Sequence, residues 1–272
     1  MPPLADAPVD GLGVTTADGV LWVTLDRPSR GNSVTRRMQR GLVDALRTAT
    51  GDPTTRAVVL TGAGDRHFCT GPDLSDPEMA PDPTRAPGDA ARILREGSQA
   101  VVSAILDCEK PVVCALNGTA AGVGASMVLA CDLVVAASTA RIIEIFVKRG
   151  LAPDGGAAYL LARKLPMNVA KELLFFGRPL DAEHAHRIGL VNAVVEPEEL
   201  HPFVAGWASE LATGPTRAIA AAKALVNAAP DTDRSAAFFA ESVVVEQVAG
   251  TDDVAEGVAA FLDRREPRFT GR

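Results

Sequence analysis

Two glycine-rich segments carry the residues that could do chemistry. The first, His67–Leu74 (HFCTGPDL), follows an apolar strand and places a glycine at a turn, where the backbone can approach another group closely. The second, Gly118–Met127 (GTAAGVGASM), leads from a short apolar strand through small residues into an apolar helix. The first N–H groups of a helix have no intrahelical acceptor and carry partial positive charge. The second segment therefore predicts free backbone donors at a helix start.

Each segment also has an ordinary interpretation. The first could be a strand-to-helix turn without a ligand, and the second could be a dinucleotide-binding loop. However, the glycine spacing in the second segment does not fit G-x-G-x-x-G, and no nearby βαβ unit supplies an acidic ribose ligand. The dinucleotide interpretation is therefore the less favoured one.

The histidines and cysteines do not form a metal-binding pattern. His184 and His186 form an HxH pair, but no third ligand is nearby in the sequence, so we interpret both as surface residues of a helix. The cysteines lack CxxC or Cys/His spacing, and we expect free thiols in or near the core. No metal or redox cofactor is therefore expected. The four cysteines are Cys69, Cys108, Cys114 and Cys131.

Short β-rich runs alternate with helical patterns, which is typical of a mixed α/β domain. One predicted helix has an apolar residue at every fourth position, and a second helix follows later with a similar stripe. The predicted strands are Val20–Leu25, Ala57–Thr61, Pro111–Leu116, Leu133–Ala136 and Val191–Val195. The two stripes are Val34, Met38, Leu42 and Leu46, and Leu94, Val101 and Ile105.

Two regions differ from this alternation. Asp76–Asp89 contains four prolines, which forbid a continuous helix or a central strand, and we expect a mobile loop that could act as a lid. After Val195 only helical patterns occur. The four predicted helices are Glu198–Ala212, Thr216–Asn227, Asp233–Val248 and Asp252–Arg264.

Charge and hydropathy exclude some classes of function. Acidic residues outnumber basic ones, 34 to 27, and no basic stripe with interleaved aromatic residues occurs, which argues against nucleic acid as a partner. Every apolar run is far shorter than the ~20 residues that a transmembrane helix needs. Residues 1–12 lack the pattern of a signal peptide, so we expect a short disordered leader and a cytoplasmic protein without membrane contact.

Taken together, the two glycine-rich segments resemble the crotonase (enoyl-CoA hydratase/isomerase) superfamily, and the resemblance extends over almost the whole chain. Further segments occur in the family's order: an early CoA-contacting turn, a glycine-rich active-site turn, a helix-to-strand stretch and a closing tail. These segments are Leu25–Ser33, Gly150–Gly156, Ala182–Asn192 and Phe261–Arg265.

The resemblance implies an α/β fold, a crotonase-like spiral of ββα units with a helical C-terminal trimerisation region, and assembly into homotrimers or hexamers. We accordingly expect a core with an acyl-CoA site over residues 13–197 and a helical region over residues 198–272.

Carried over by position, the backbone N–H groups of Thr70 and Val123 form an oxyanion hole for the thioester oxygen. Such a donor is commonly worth ~3–4 kcal/mol of transition-state stabilisation. His67 borders the first turn as a candidate CoA neighbour. Arg30, with Arg264 or Arg265, could meet the CoA phosphates or be exposed solubilising charge. The positions that match substrate or CoA contacts are Ser29, Arg30, Gly31, Gly71, Pro72, Asp73, Leu74, Gly122, Ser126 and Phe146.

The sequence departs from the hydratases that it resembles, which place two glutamates in the site. The matching positions hold Ser126 and Phe146. Glu144 is two residues too early, and we expect its side chain to point elsewhere. A serine hydroxyl is too weak a base to replace a glutamate unaided. Two-carboxylate hydration is therefore not expected.

Asp154 is the remaining acidic candidate. Some isomerases of the superfamily carry a single catalytic aspartate in a similar Pro-Asp-x-Gly turn, and apolar neighbours should raise its pKa. Alternatively, Asp154 caps the helix that begins near Gly156. The expected function is enoyl-CoA isomerisation through an enolate. The alternatives are a weak hydratase, in which Asp154 and Ser126 position water, and a non-catalytic acyl-CoA-binding protein.

Overall fold

The computed structural model describes residues 9–79, 84 and 86–272. The expected leader therefore lies mostly outside the described residues, and so does the centre of the predicted Asp76–Asp89 loop. The strands are β1 Leu12–Ala17, β2 Val20–Leu25, β3 Ala57–Gly62, β4 His67–Cys69, β5 Val112–Leu116, β6 Thr119–Ala121, β7 Leu133–Ala137, β8 Arg141–Ile143, β9 Leu180–Asp181 and β10 Ala193–Val195.

The helices begin with α1 at Arg36–Gly51 and end with α11 at Asp252–Asp263. Between them lie α2 Asp89–Glu96, α3 Ser98–Leu106, α4 Val123–Ala130, α5 Ala157–Lys164, α6 Met167–Phe176, α7 Ala182–Arg187, α8 Leu200–Thr213, α9 Thr216–Ala228 and α10 Arg234–Ala249. Short 3₁₀-helices span Pro28–Arg30, Ile145–Arg149, Pro197–Glu199 and Ala229–Asp231.

Two sheets form the framework. The larger has the order β1-β2-β3-β5-β7-β10, with β1 antiparallel to β2 and every other pair parallel. All five strands predicted from the sequence lie in this sheet. The smaller sheet has the order β4-β6-β8-β9, with β9 antiparallel to β8.

Successive strand pairs connect the two sheets. β3, β5 and β7 each lie in the larger sheet, and each is followed at once by a strand of the smaller sheet, β4, β6 or β8. One or more helices then return the chain to the larger sheet, after the last pair by way of β9. This repetition is the expected spiral of ββα units.

The first predicted stripe is buried. α1 turns Met38, Leu42 and Leu46 into the core, and Val34, just before the helix, is buried with them. The Thr35 hydroxyl accepts a hydrogen bond from the Met38 N–H at the helix start. The second predicted helix is divided in two at Gly97. A Cβ there would lie 2.3 Å from Nη1 of the buried Arg36. The chain therefore ends α2 and starts α3 at this contact.

The C-terminal helices differ in their surroundings. α8 buries Leu200, Val204, Ala208 and Ala212 and packs against β3, β5 and β7. In contrast, α10 and α11 expose large apolar side chains, including Phe238, Phe239, Phe261 and Leu262. Within the described part of the chain, no helix is both long and apolar enough to span a membrane.

Candidate active site

The start of α4 provides a free backbone donor. Gly122 precedes the helix with φ 55° and ψ −123°, a conformation that is essentially restricted to glycine, and its N–H donates to the Ile143 carbonyl at 3.0 Å. Val123 is the first residue of α4 and has no preceding turn to supply an acceptor. Among the described residues nothing accepts a hydrogen bond from its N–H. Val123 thus has the geometry expected of a donor to a ligand oxygen.

A second glycine brings the first glycine-rich segment against this helix start. A Cβ at Gly124 would lie only 2.2 Å from the carbonyl oxygen of Cys69, the last residue of β4. Only glycine permits this approach. The end of β4 and the start of α4 are therefore neighbours, as the two predicted oxyanion segments require.

The first predicted donor is engaged. The Thr70 N–H donates to the Gly31 carbonyl at 3.0 Å, so it can bind a thioester oxygen only by giving up this hydrogen bond. The Gly71 N–H faces the Cys69 sulfur at 3.4 Å. Proline at position 72 has no N–H. The structure thus leaves Val123 as the free donor of the predicted pair.

The early turn and the first glycine-rich segment are held together. Ser29 and Arg30 are exposed at the 3₁₀-helix, and Gly31 ends it. The buried Asn32 amide then donates to the His67 carbonyl at 2.6 Å and to the Ala63 carbonyl at 2.9 Å. The early turn and the first glycine-rich segment are therefore neighbours in the structure. Contact of their residues with CoA stays a prediction.

Several predicted contacts in the first segment have structural partners. Val34 donates to the Gly71 carbonyl and pairs with Pro72 in a parallel bridge. The Asp73 carboxylate lies 2.7 Å from Nη1 of Arg27, and it also accepts hydrogen bonds from the backbone and hydroxyl of Ser75. These partners hold the pKa of Asp73 down at about 2, the Ser75 hydroxyl contributing most. Leu74 is exposed.

Asp154 lies directly against the start of α4. The Ser126 hydroxyl donates to the Asp154 carbonyl at 3.4 Å, and a Cβ at the next residue, Gly155, would lie 3.0 Å from Cγ2 of Val123. The Asp154 carboxylate does not cap α5, whose N-cap is Gly156 without a side-chain hydrogen bond. Its Oδ1 is buried and has no partner among the described residues. Burial raises the pKa of Asp154, as expected from the sequence.

Glu144 corrects an expectation from the sequence. Glu144 is only 3% exposed, and both of its carboxyl oxygens are buried without a hydrogen-bond partner in the described part of the chain. Burial, and then the nearby charge of Asp154, raise the pKa of Glu144 to about 8. The side chain therefore lies inside, near Asp154, rather than pointing away. The expectation compared position 144 with position 146 of the family pattern, and that comparison does not show which way a side chain faces where the chain enters the 3₁₀-helix at Ile145.

The two positions that the resemblance matches to the glutamates of hydratases hold uncharged residues with packing roles. Ser126 is fully buried, and its hydroxyl donates to backbone carbonyls of Gly122 and Asp154. Phe146 is buried beside Gly122, whose added Cβ would lie 3.8 Å from the ring. Neither residue supplies a base.

The remaining candidates lie elsewhere or have other partners. His184 and His186 are exposed on α7, and the His186 ring contacts the Val191 carbonyl. Arg265 pairs with Glu256 on α11, and Arg264 ends that helix in a left-handed conformation. All four cysteines are free and buried, as predicted.

Sequence comparison agrees with this arrangement. Residues 15–272 match the family Enoyl-CoA hydratase/isomerase. A 1,2-epoxyphenylacetyl-CoA isomerase of Escherichia coli is 37% identical over 254 residues, which cover 93% of this chain and 96% of that protein. A crotonyl-CoA hydratase of Syntrophomonas wolfei is 32% identical and covers 91% of this chain and 93% of its own length.

Structural comparison gives the same answer. The crystal structure of an enoyl-CoA hydratase from Polaromonas sp. JS666 superposes with a TM-score of 0.88 at 33% sequence identity, over 95% of this chain and 99% of that one. The chain is therefore a crotonase-type enzyme and belongs to the enoyl-CoA hydratase/isomerase family.

Proposed function

We propose that this protein moves the double bond of an enoyl-CoA thioester, with Asp154 as the proton carrier and the Val123 N–H as a donor to the thioester oxygen. The observation that supports this most strongly is the position of Asp154. The turn that carries Asp154, whose half-buried carboxyl group has a raised pKa, packs against the first turn of α4, where the Val123 N–H is free. The substrate of this proposal is an acyl-CoA, and the chemistry needs no metal or redox cofactor.

The residues act in a simple order. The ionised Asp154 removes a proton from the α-carbon of a 3-enoyl thioester, and the electrons move onto the thioester oxygen. The Val123 N–H and the partial positive charge of the α4 start stabilise that oxygen. Asp154 then returns the proton to the γ-carbon, which gives the 2-enoyl thioester. A raised pKa suits this role because one group must both accept and release the proton near neutral pH.

Hydration is less well supported by the contacts of Ser126. A serine that positions water would need a free hydroxyl, but this one is fully buried, and its single proton is shared between two backbone carbonyls at 3.4 and 3.5 Å. Ser126 therefore supports the turn that carries Asp154. No observation favours a non-catalytic acyl-CoA-binding protein.

The decisive experiment offers 3-enoyl-CoA and 2-enoyl-CoA substrates side by side and follows double-bond migration against water addition. We expect isomerisation of the first and little hydration of the second. Asp154→Asn should abolish turnover and spare CoA binding, measured by calorimetry. Unchanged turnover in this variant, or hydration without isomerisation, would contradict the proposal.

We also propose that the chain assembles into trimers or hexamers. Support comes from the large apolar side chains that α10 and α11 expose, which include Phe238, Phe239, Phe261 and Leu262. Exposed apolar patches of this kind mark contact surfaces on otherwise stable proteins.

A further inference from the structure

Glu144 is the buried acid that the proposed reaction does not use. It follows β8 and immediately precedes the 3₁₀-helix Ile145–Arg149, and its carbonyl packs against the end of α6, where a Cβ at Gly177 would lie 2.9 Å away. Both oxygens of the carboxyl group are inaccessible to solvent and lack a partner among the described residues. A buried carboxyl group without partners is costly, so such a group needs an explanation in the chemistry of the site.

Among the described residues, none near Glu144 supplies a cation that would hold it ionised. α4, which crosses the site, contains no charged residue. The charged residues on the elements around Glu144 are exposed, and within the described part of the chain the ionisable group whose charge acts on Glu144 is Asp154. Those exposed residues are Arg141 on β8, Lys148 and Arg149 on the 3₁₀-helix, Lys171 and Glu172 on α6, and Asp181 on β9.

The carboxyl oxygens of Asp154 differ from one another. Oδ1 is buried and has no hydrogen-bond partner among the described residues. Oδ2 also accepts no hydrogen bond from them, but it is not fully buried. One oxygen is therefore directed into the protein and the other remains accessible. Two neighbouring carboxyl groups with three unpaired buried oxygens can satisfy one another only if they share a proton, because two adjacent carboxylates repel.

We propose that Glu144 is a positioning residue, which in its neutral form donates a hydrogen bond to Oδ1 of Asp154, directly or through one water molecule, and leaves Oδ2 to take the substrate proton. This inference rests on the proposed function of Asp154. The pair with one shared proton is the active form. It titrates as a unit: losing the proton costs the hydrogen bond, and gaining a second proton removes the base.

Two variants at this position separate the hydrogen bond from the titration. Glu144→Gln can still donate through its amide but cannot ionise, and Glu144→Leu can do neither. We expect Glu144→Gln to keep kcat within about threefold at pH 7. We also expect the wild type to lose activity above a pH of about 8 and Glu144→Gln to show no such fall. Glu144→Leu should lower kcat by about tenfold or more with little change in KM, and its activity should need a higher pH.

Infrared spectroscopy tests the same inference without turnover. The wild type should show the carbonyl stretch of a neutral, buried carboxylic acid up to a pH of about 8, and Glu144→Gln should lack it. This measurement holds even if Glu144→Leu does not fold. The inference is overturned if the band is absent, if Glu144→Leu has the kcat and pH profile of the wild type, or if Glu144→Gln keeps the alkaline fall. If Asp154→Asn loses turnover but both Glu144 variants keep the kcat and pH profile of the wild type, this inference alone is wrong. If Asp154→Asn keeps full turnover, the proposed function is wrong.

Discussion

The hydroxyl of Ser126 and the carbonyl of Asp154 are joined by a 3.4 Å hydrogen bond, which ties the first turn of α4 to the turn that carries the candidate base. The same hydroxyl also reaches the Gly122 carbonyl at 3.5 Å. One buried side chain thus connects the backbone beside the free N–H with the backbone beside the carboxylate.

Replacing Ser126 with alanine should therefore affect catalysis more than stability. Both hydrogen bonds are long, and we expect a loss of about 1 kcal/mol or less in the free energy of unfolding. We expect a fall of about tenfold in kcat, because small displacements of a base are costly. Isomerase assays would measure kcat, and urea denaturation would measure the free energy of unfolding. A variant with wild-type kcat would show that the hydrogen bond does not position Asp154.

Gly124→Ala tests the contact between β4 and α4. The added Cβ would lie 2.2 Å from the Cys69 carbonyl, a backbone group that cannot move alone, so we expect destabilisation by about 3 kcal/mol or more. Gly206→Ala in the middle of α8 is the matched control, because a Cβ there meets nothing within 4 Å. That change should stabilise the helix by about 0.5–1 kcal/mol. Equal unfolding midpoints for the two variants would refute the close contact.

Much of this fold is readable from the sequence because its large sheet is made of continuous apolar runs. Val20–Leu25 is predicted with the bounds that the structure has, since every residue in it is buried or half-buried. β4, β6, β8 and β9 have only two or three residues each, too few for a periodic pattern. β1 was not predicted for another reason. Most of its residues are exposed, and it is stabilised as a strand by its antiparallel pairing with β2.

The candidate site was predictable only where the backbone decides. Val123 keeps a free N–H because it starts a helix, whatever its side chain. Thr70 lost that property through a hydrogen bond to Gly31, some forty positions earlier, which no local pattern reveals. Glu144 was expected to point elsewhere, and only its burial in the folded chain shows that it faces the interior.

The pH dependence of the free energy of unfolding should reveal the protonation of the Glu144 carboxyl group. Its pKa is raised to about 8 in the folded protein from 4.5, so the folded state holds the proton more tightly than the unfolded state does. The free energy of unfolding should therefore fall as the pH rises from 4.5 to about 8, by on the order of 4 kcal/mol.

Glu144→Gln should remove this contribution, and urea denaturation at several pH values would measure it. Glu198→Gln, at an exposed position, serves as the control and should leave the profile unchanged. A Glu144→Gln profile parallel to that of the wild type would show that the carboxyl group is not neutral in the fold.

The ion pair of Lys223 and Asp132 offers a separate test of buried charge. Their atoms lie 2.8 Å apart, and Lys223 also donates to the carbonyls of Ile105 and Lys110. Burial raises the pKa of Asp132 even with this partner present. Lys223→Met should cost about 3 kcal/mol, because it leaves a buried carboxylate unpaired. Arg40→Met breaks an exposed pair with Glu78 and should cost less than about 1 kcal/mol. If the two variants unfold at the same urea concentration, the Lys223 pair is not a buried one in solution.

The apolar surface of α10 and α11 should control assembly. Phe239 and Phe261 are 71% and 82% exposed, values that large aromatic side chains rarely keep in a stable protein unless another chain covers them. A Phe239→Glu/Phe261→Glu variant places charge in that surface, and we expect light scattering to show dissociation to the monomer mass. Val14→Glu is the matched control, since Val14 is an exposed apolar residue on β1 and its replacement should not change the mass. Trimers or hexamers that persist in the double variant would place the contact surface elsewhere.

The same double variant tests whether catalysis needs the assembly. Because Asp154, Glu144 and Val123 belong to one chain, a folded monomer that remains active would show that the site is complete without its neighbours.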